Sequence, residues 1–113
     1  MIQIKRIYED YRETDGARVL VDRLWPRGVS KEKAHLDLWL KDIAPSNELR
    51  TWFGHDPKKW NDFHTKYLSE LKNKTELINQ VKQLEKKHKT VTLLYGAKDT
   101  KHNQAVIITE LLT

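Results

Sequence analysis

An α/β fold, with a small and mostly parallel sheet of three to four strands flanked by helices, is what three features of this 113-residue chain predict. Two uncharged apolar runs, Val19 to Val21 and residues 90–95 (TVTLLY), have the composition of strands covered on both faces. Between them Trp60, Phe63, Tyr67, Leu68 and Leu71 recur at helical spacing. The resulting order of strands, helices, strand and helix needs at least one crossover, which is the mark of parallel pairing. The length suits a single domain over residues 1–113, with one well-filled core.

Taken in order, residues 2–8 (IQIKRIY) alternate as a strand does, and EDYRETDG forms a charged turn ending in Gly16. A second strand spans residues 17–25 and is stopped by Pro26 and Gly28, which makes LWPRGVSK a loop at its carboxyl end. Ser30 caps a helical turn over KEKA. Residues 35–43 place Leu36, Leu38 and Leu40 in period two and predict a short strand, with a helical turn as the alternative. Ser46 caps a helix that stops at Gly54. Asp56 and Pro57 are a start signal for the helix carrying the aromatic stripe, because the carboxylate accepts an orphan N–H and proline has none to leave unpaired. Asn73 and Glu76 have the spacing of a capping box and predict a break before a second helix through Val81 and Leu84. Strand 90–95 ends at Gly96, a polar loop AKDTKHN follows, and AVIITELL forms the last helix with Thr100 as its cap. His102 and Asn103 then fall in that helix's first turn.

The composition excludes several kinds of chemistry. The chain has no cysteine, which removes disulfides, thiolate nucleophiles and cysteine-held metals and fits a reducing, cytoplasmic setting. No apolar leader and no membrane-length run occurs, so no membrane partner is expected. The five histidines include no pair at helical metal-ligand spacing, so no metal site is expected, and no cofactor is legible. The glycines are too dispersed for a dinucleotide fingerprint, and Gly96-Ala97-Lys98 lacks the flanking residues of a phosphate loop. The formal charge is +5, and its excess lies in residues 46–89, which carry 10 Lys and Arg against 6 Asp and Glu. Those lysines cluster on helical segments as solvated faces do, without interleaved stacking aromatics.

Two loops carry the chemistry. LVDRLWPRG follows the second strand and LLYGAKDTKHN the last, which puts Arg23, Arg27, Lys98, Asp99, His102 and Asn103 at strand carboxyl ends. Open α/β sheets bind ligands at that edge. If the two strands are parallel neighbours, these residues converge on an anion, with Arg23 and Arg27 as clamps, Lys98 as charge neutraliser, and His102 with Asp99 as an acid/base pair should the site turn over substrate. The competing assignments are structural: an Asp22–Arg23 ion pair, Asp99 as a brace for the loop, and His102 and Asn103 as helix-start residues.

Three blocks, VDRLWPRGVSKEK (21–33), DLWLKDIAPSNELRTWFGHDPKKWNDF (37–63) and TLLYGAKDTKHNQAVI (92–107), resemble the signature of the YeaO-like family of small bacterial proteins, a domain of unknown function. The resemblance covers nearly the whole chain. It implies a compact, stand-alone α/β protein of the cytosol and no established activity, so it leaves open whether the chain is an enzyme. Its charged blocks add Trp25, Trp52 and His55 as walls of the same pocket. Three functions follow from these residues: a site for a phosphate- or carboxylate-bearing small molecule, nucleic-acid contact through the basic helices, and a homodimeric interaction module. Monomer and homodimer stay equally open.

Overall fold

The computed structural model describes residues 1–113. Four strands, β1 (Ile2–Arg6), β2 (Ala17–Leu20), β3 (Leu38–Trp39) and β4 (Val91–Tyr95), form one sheet in the order β1-β4-β2-β3. Every neighbouring pair is parallel, with Val91 opposite both Ile2 and Ala17. The helices are α1 (Lys31–Ala34), α2 (Asn47–Phe53), α3 (Trp60–Leu71), α4 (Thr75–His88) and α5 (Gln104–Leu112).

Period-two alternation sends Ala17, Val19, Val21, Val91, Leu93 and Tyr95 to one face of the sheet, where they meet Leu49, Phe53, Phe63, Tyr67, Leu71, Val81 and Ile107 from α2 to α5. The aromatic stripe of α3 is core, as its spacing requires. The opposite face is covered only by α1 and loops. There Ile7, Leu20, Ala34 and Leu94 make a small second core beside a polar network. Arg18 on β2 is buried and donates from Nε and Nη2 to the Ala34 carbonyl at 3.1 and 3.0 Å. Its Nη1 pairs with Asp15, and Lys5 reaches the same carboxylate at 3.1 Å. Burial alone would raise the Asp15 carboxyl, but the Arg12 N–H and the Lys5 and Arg18 cations outweigh it and hold it below the usual range.

Local signals place most helix ends. Ser30 and Ser46 accept hydrogen bonds from the N–H groups of Lys33 and Leu49, both at 3.1 Å. Asp56 accepts from Lys58 at 3.0 Å, opening a 3-10 turn over Pro57–Lys59 that runs into α3. Four expectations need correction. The second strand pairs only through Leu20, and the Val21 N–H makes the last bond, to Leu94, before the chain turns out at Asp22. The short strand is right in kind but shrinks to Leu38–Trp39, because a 3-10 turn over Lys41–Ile43 takes up the following residues. The Asn73–Glu76 capping box does not form. The N–H groups of Lys72, Asn73 and Lys74 turn back onto carbonyls of α3, so α4 starts at Thr75 with no side-chain cap. Finally, Asn103 and not Thr100 caps α5, its Oδ1 accepting from Val106 at 3.3 Å. Asp99 occupies the N–H groups of Lys101 and His102 in a separate turn, which delays the helix and leaves His102 outside it.

No helix is long and apolar enough to cross a membrane.

Candidate functional site

Because β2 and β4 are parallel neighbours, the segments that follow them leave the same edge of the sheet and face one another. With the residues after β3 and the end of α2 they enclose an open cleft of about 270 Å³. One wall is apolar, from Leu24, Pro45, Phe53 and Phe63; the rest carries Asp22, Arg23, Arg50, His55, His102, Asn103 and Gln104.

Asp22 is fixed from three parts of the chain at once. Its backbone carbonyl accepts from Trp39 Nε1 at 2.8 Å, its Oδ2 accepts from the Gly96 N–H at 2.8 Å, and its Oδ1 accepts from Gln104 Nε2 at 2.5 Å. Glycine at 96 lets the N–H approach without displacing the carboxylate, since a Cβ there would stand 2.9 Å from Oδ2. Burial raises the Asp22 carboxyl, against the Gly96 and Gln104 hydrogen bonds and the positive potential of His55. Asp22 does not pair with Arg23. That guanidinium turns to the carbonyls of Pro45 and Ala44 at 3.2 and 3.1 Å, with Nη1 3.8 Å from exposed Asp42. Two of its five N–H donors are spent in this way, so it is anchored and still able to bind.

His102 stands edge-on to Trp60, ring centroids 5.2 Å apart, and its Nδ1 lies 2.8 Å from Asp99 Oδ2. A carboxylate on Nδ1 makes that atom the donor, so a neutral ring carries its lone pair on Nε2. Asp99 is held below the usual carboxylate range by the Lys101 N–H and by its bond to His102. It is therefore both the loop brace and the partner of the imidazole. His55 reaches the cleft through a left-handed backbone (φ 57°) that follows Gly54.

Of the residues singled out in the sequence, Arg23, His55, His102 and Asn103 line the cleft, with Asp99 behind His102. The others lie apart. Trp25 bonds Val29 in its own loop, packs against Trp39, and walls a second groove on the other side of β3. Arg27 is exposed, and its carbonyl accepts from the Tyr8 hydroxyl at 3.0 Å. Trp52 is half-buried against the core and outside the cleft lining, with Lys66 4.0 Å above its ring. Lys98 is exposed on the loop, outside the cleft lining. The sequence reading missed Asp22 as a cleft wall, and with it Arg50, Gln104 and the Phe53–Phe63 stack at 4.2 Å. The position of Asp22 at the end of one apolar run and of Gly96 at the end of the other is the signal that could have found their contact.

Fold and cleft together define a small parallel α/β protein with one mixed-charge cleft at the carboxyl ends of its central strands. Across residues 1–113 the chain belongs to the family described as the inactive DUF488-N3 subclade, a YeaO-like family of unknown function. It is 41% identical over 111 residues to the uncharacterized protein YeaO of Escherichia coli (strain K12), covering 98% of this chain and 96% of that protein. It is 35% identical over 111 residues to the uncharacterized protein Rv3073c of Mycobacterium tuberculosis (strain ATCC 25618 / H37Rv), covering 98% and 92%. The uncharacterized protein Mb3100c of Mycobacterium bovis is similar to the same extent, 35% over 111 residues. No solved structure matches the chain.

Proposed function

We propose that the protein binds a small molecule bearing a phosphate or carboxylate in the cleft after β2 and β4, and that it acts by binding rather than by turnover. The observation that supports this most is the convergence of Arg23, Arg50, His55 and His102 on one cleft beside the amino end of α5. Guanidinium N–H groups, together with a helix start and an imidazole that donates from Nε2 when protonated, suit an anionic oxygen cluster. Covalent turnover by a hydroxyl or thiol has no candidate group, since no serine, threonine, tyrosine or cysteine lines the cleft, and binding is chosen on that narrower ground. The family description of an inactive subclade agrees with that choice. The Asp99–His102 pair then orients an imidazole toward the ligand, as such pairs also do in acid/base sites.

The test is a nuclear magnetic resonance titration of the labelled protein with ethyl phosphate and with acetate at millimolar concentrations. The amides of Gly96, Ala97, Asn103 and Gln104 shift on binding. Arg50→Ala, whose side chain is exposed and only 3.5 Å from Asn47 as its nearest bond, weakens binding with the fold unchanged. Arg23→Ala weakens it about tenfold or more, the value of one charge-assisted hydrogen bond. Cleft amides that do not respond, or affinities equal in wild type and both variants, refute the proposal.

A further inference from the structure

Asp22 does not fit a cleft built for an anion alone. Its carboxylate lines the cavity, yet its only partners are two neutral donors, the Gly96 N–H at 2.8 Å and the Gln104 amide at 2.5 Å. The contrast with Asp15 is instructive, since that buried carboxylate is matched by both Lys5 and Arg18. The nearest cation in sequence, Arg23, is turned away to the Ala44 and Pro45 carbonyls. A carboxylate offers about four acceptor positions, and Asp22 has two of them filled. Its backbone is pinned by Trp39 and its carboxylate by Gly96 and Gln104, so the carboxylate cannot swing out to water without breaking both of its hydrogen bonds. A purely anionic guest would be placed beside a fixed charge of its own sign, in a partly buried site where such repulsion is weakly screened.

Resting on the anion-binding reading above, we propose that the ligand also carries a protonated amine, which docks on Asp22 while its phosphate or carboxylate docks on Arg23, Arg50 and His55. The class is a small amino-bearing acid. The apolar wall of Leu24, Pro45 and Phe53 accommodates the short hydrocarbon between the two charged ends. The raised Asp22 carboxyl agrees with this assignment, because burial raises it and its hydrogen-bond partners are neutral, a cost that a directly bound ammonium group relieves.

The experiment compares 2-aminoethyl phosphate with ethyl phosphate, which lacks only the amine, in the wild-type protein and in Asp22→Asn. The wild type binds 2-aminoethyl phosphate about tenfold or more tightly than ethyl phosphate, as one charge-assisted hydrogen bond allows, and Asp22→Asn abolishes the difference while keeping ethyl phosphate. Asp22→Ser replaces that variant if Asp22→Asn does not fold. Equal affinity for the two probes in the wild type overturns this inference and leaves the anion site standing. A preference that persists without the Asp22 carboxylate overturns it as well, and failure of both probes to bind overturns the anion site itself.

Discussion

Asp15→Ala is the substitution whose cost can be worked most directly from the structure. Asp15 is 3% exposed and accepts from the Arg12 N–H at 3.0 Å, from Lys5, and from Arg18, which is itself 1% exposed. Removing one partner of a buried ion pair costs about 3–5 kcal/mol, because the remaining charge stays buried without compensation. Arg18 keeps its two bonds to Ala34, and Lys5 lies nearer the surface, so the low end of that range applies to the charges. The orphaned Arg12 N–H adds about 0.5–1.5 kcal/mol, giving a total near 4 kcal/mol. Against a total stability of about 5–15 kcal/mol this is a large share, and it corresponds to a fall in melting temperature of roughly 15 °C. Urea unfolding followed by circular dichroism measures it, as a lower midpoint at unchanged slope. The effect depends on pH with a definite sign. The folded carboxyl sits below its unfolded value, so its contribution is complete above about pH 4, the ordinary carboxylate value, and is lost as pH falls through the folded one. Wild type and variant therefore converge in acid. A loss under about 1 kcal/mol at neutral pH, the value of an exposed pair, would falsify the view that this network is desolvated.

Gly16→Ala should be nearly as damaging: Gly16 has φ 65° and ψ −137°, and a Cβ would run into the Thr90 carbonyl, which together amount to about 2–5 kcal/mol in the same urea assay. A loss of a few tenths would show that the turn and Thr90 can move apart. Gly96→Ala pushes a Cβ against Asp22 Oδ2 and costs about 1 kcal/mol of stability through the lost Gly96 hydrogen bond. Its sharper signature is a reduced preference for 2-aminoethyl phosphate over ethyl phosphate, and an unchanged ratio counts against Gly96 as the support of Asp22.

What could be read in the sequence was what depends on near neighbours. Ser30, Ser46 and Asp56 bond N–H groups two or three residues on, and the apolar runs of β2 and β4 are short enough for composition to identify them. The shared edge of the two loops followed from parallel pairing alone. Hidden from that reading was whatever depends on distant partners. Arg18 in the run ARVLV has the sequence position of a surface residue, and its burial rests on Asp15 in a preceding turn and on the Ala34 carbonyl. Asp22 and Arg23 look like an ion pair in one dimension, yet one goes to β4 and α5 and the other to the segment before α2. Trp52 and Phe53 are adjacent in sequence, and on a helix adjacent side chains diverge by about 100°, which sends Phe53 into the cleft and Trp52 beneath Lys66.

The strand order has a consequence for how the chain comes together. β4, the last strand to be synthesised, lies between β1 and β2, which do not touch each other in the sheet. Until residues 91–95 arrive, neither of the first two strands has its main partner, Arg18 and Lys5 flank a gap, and the wall that holds Gly96 is missing. Assembly of the sheet is a late event for the whole chain, because closing those long loops must precede the contacts that reward them. A nascent chain lacking residues 91–113 thus leaves β1 without any partner strand and β2 with only the two-residue β3 beside it, so most of the sheet's edges stay open until the end of synthesis.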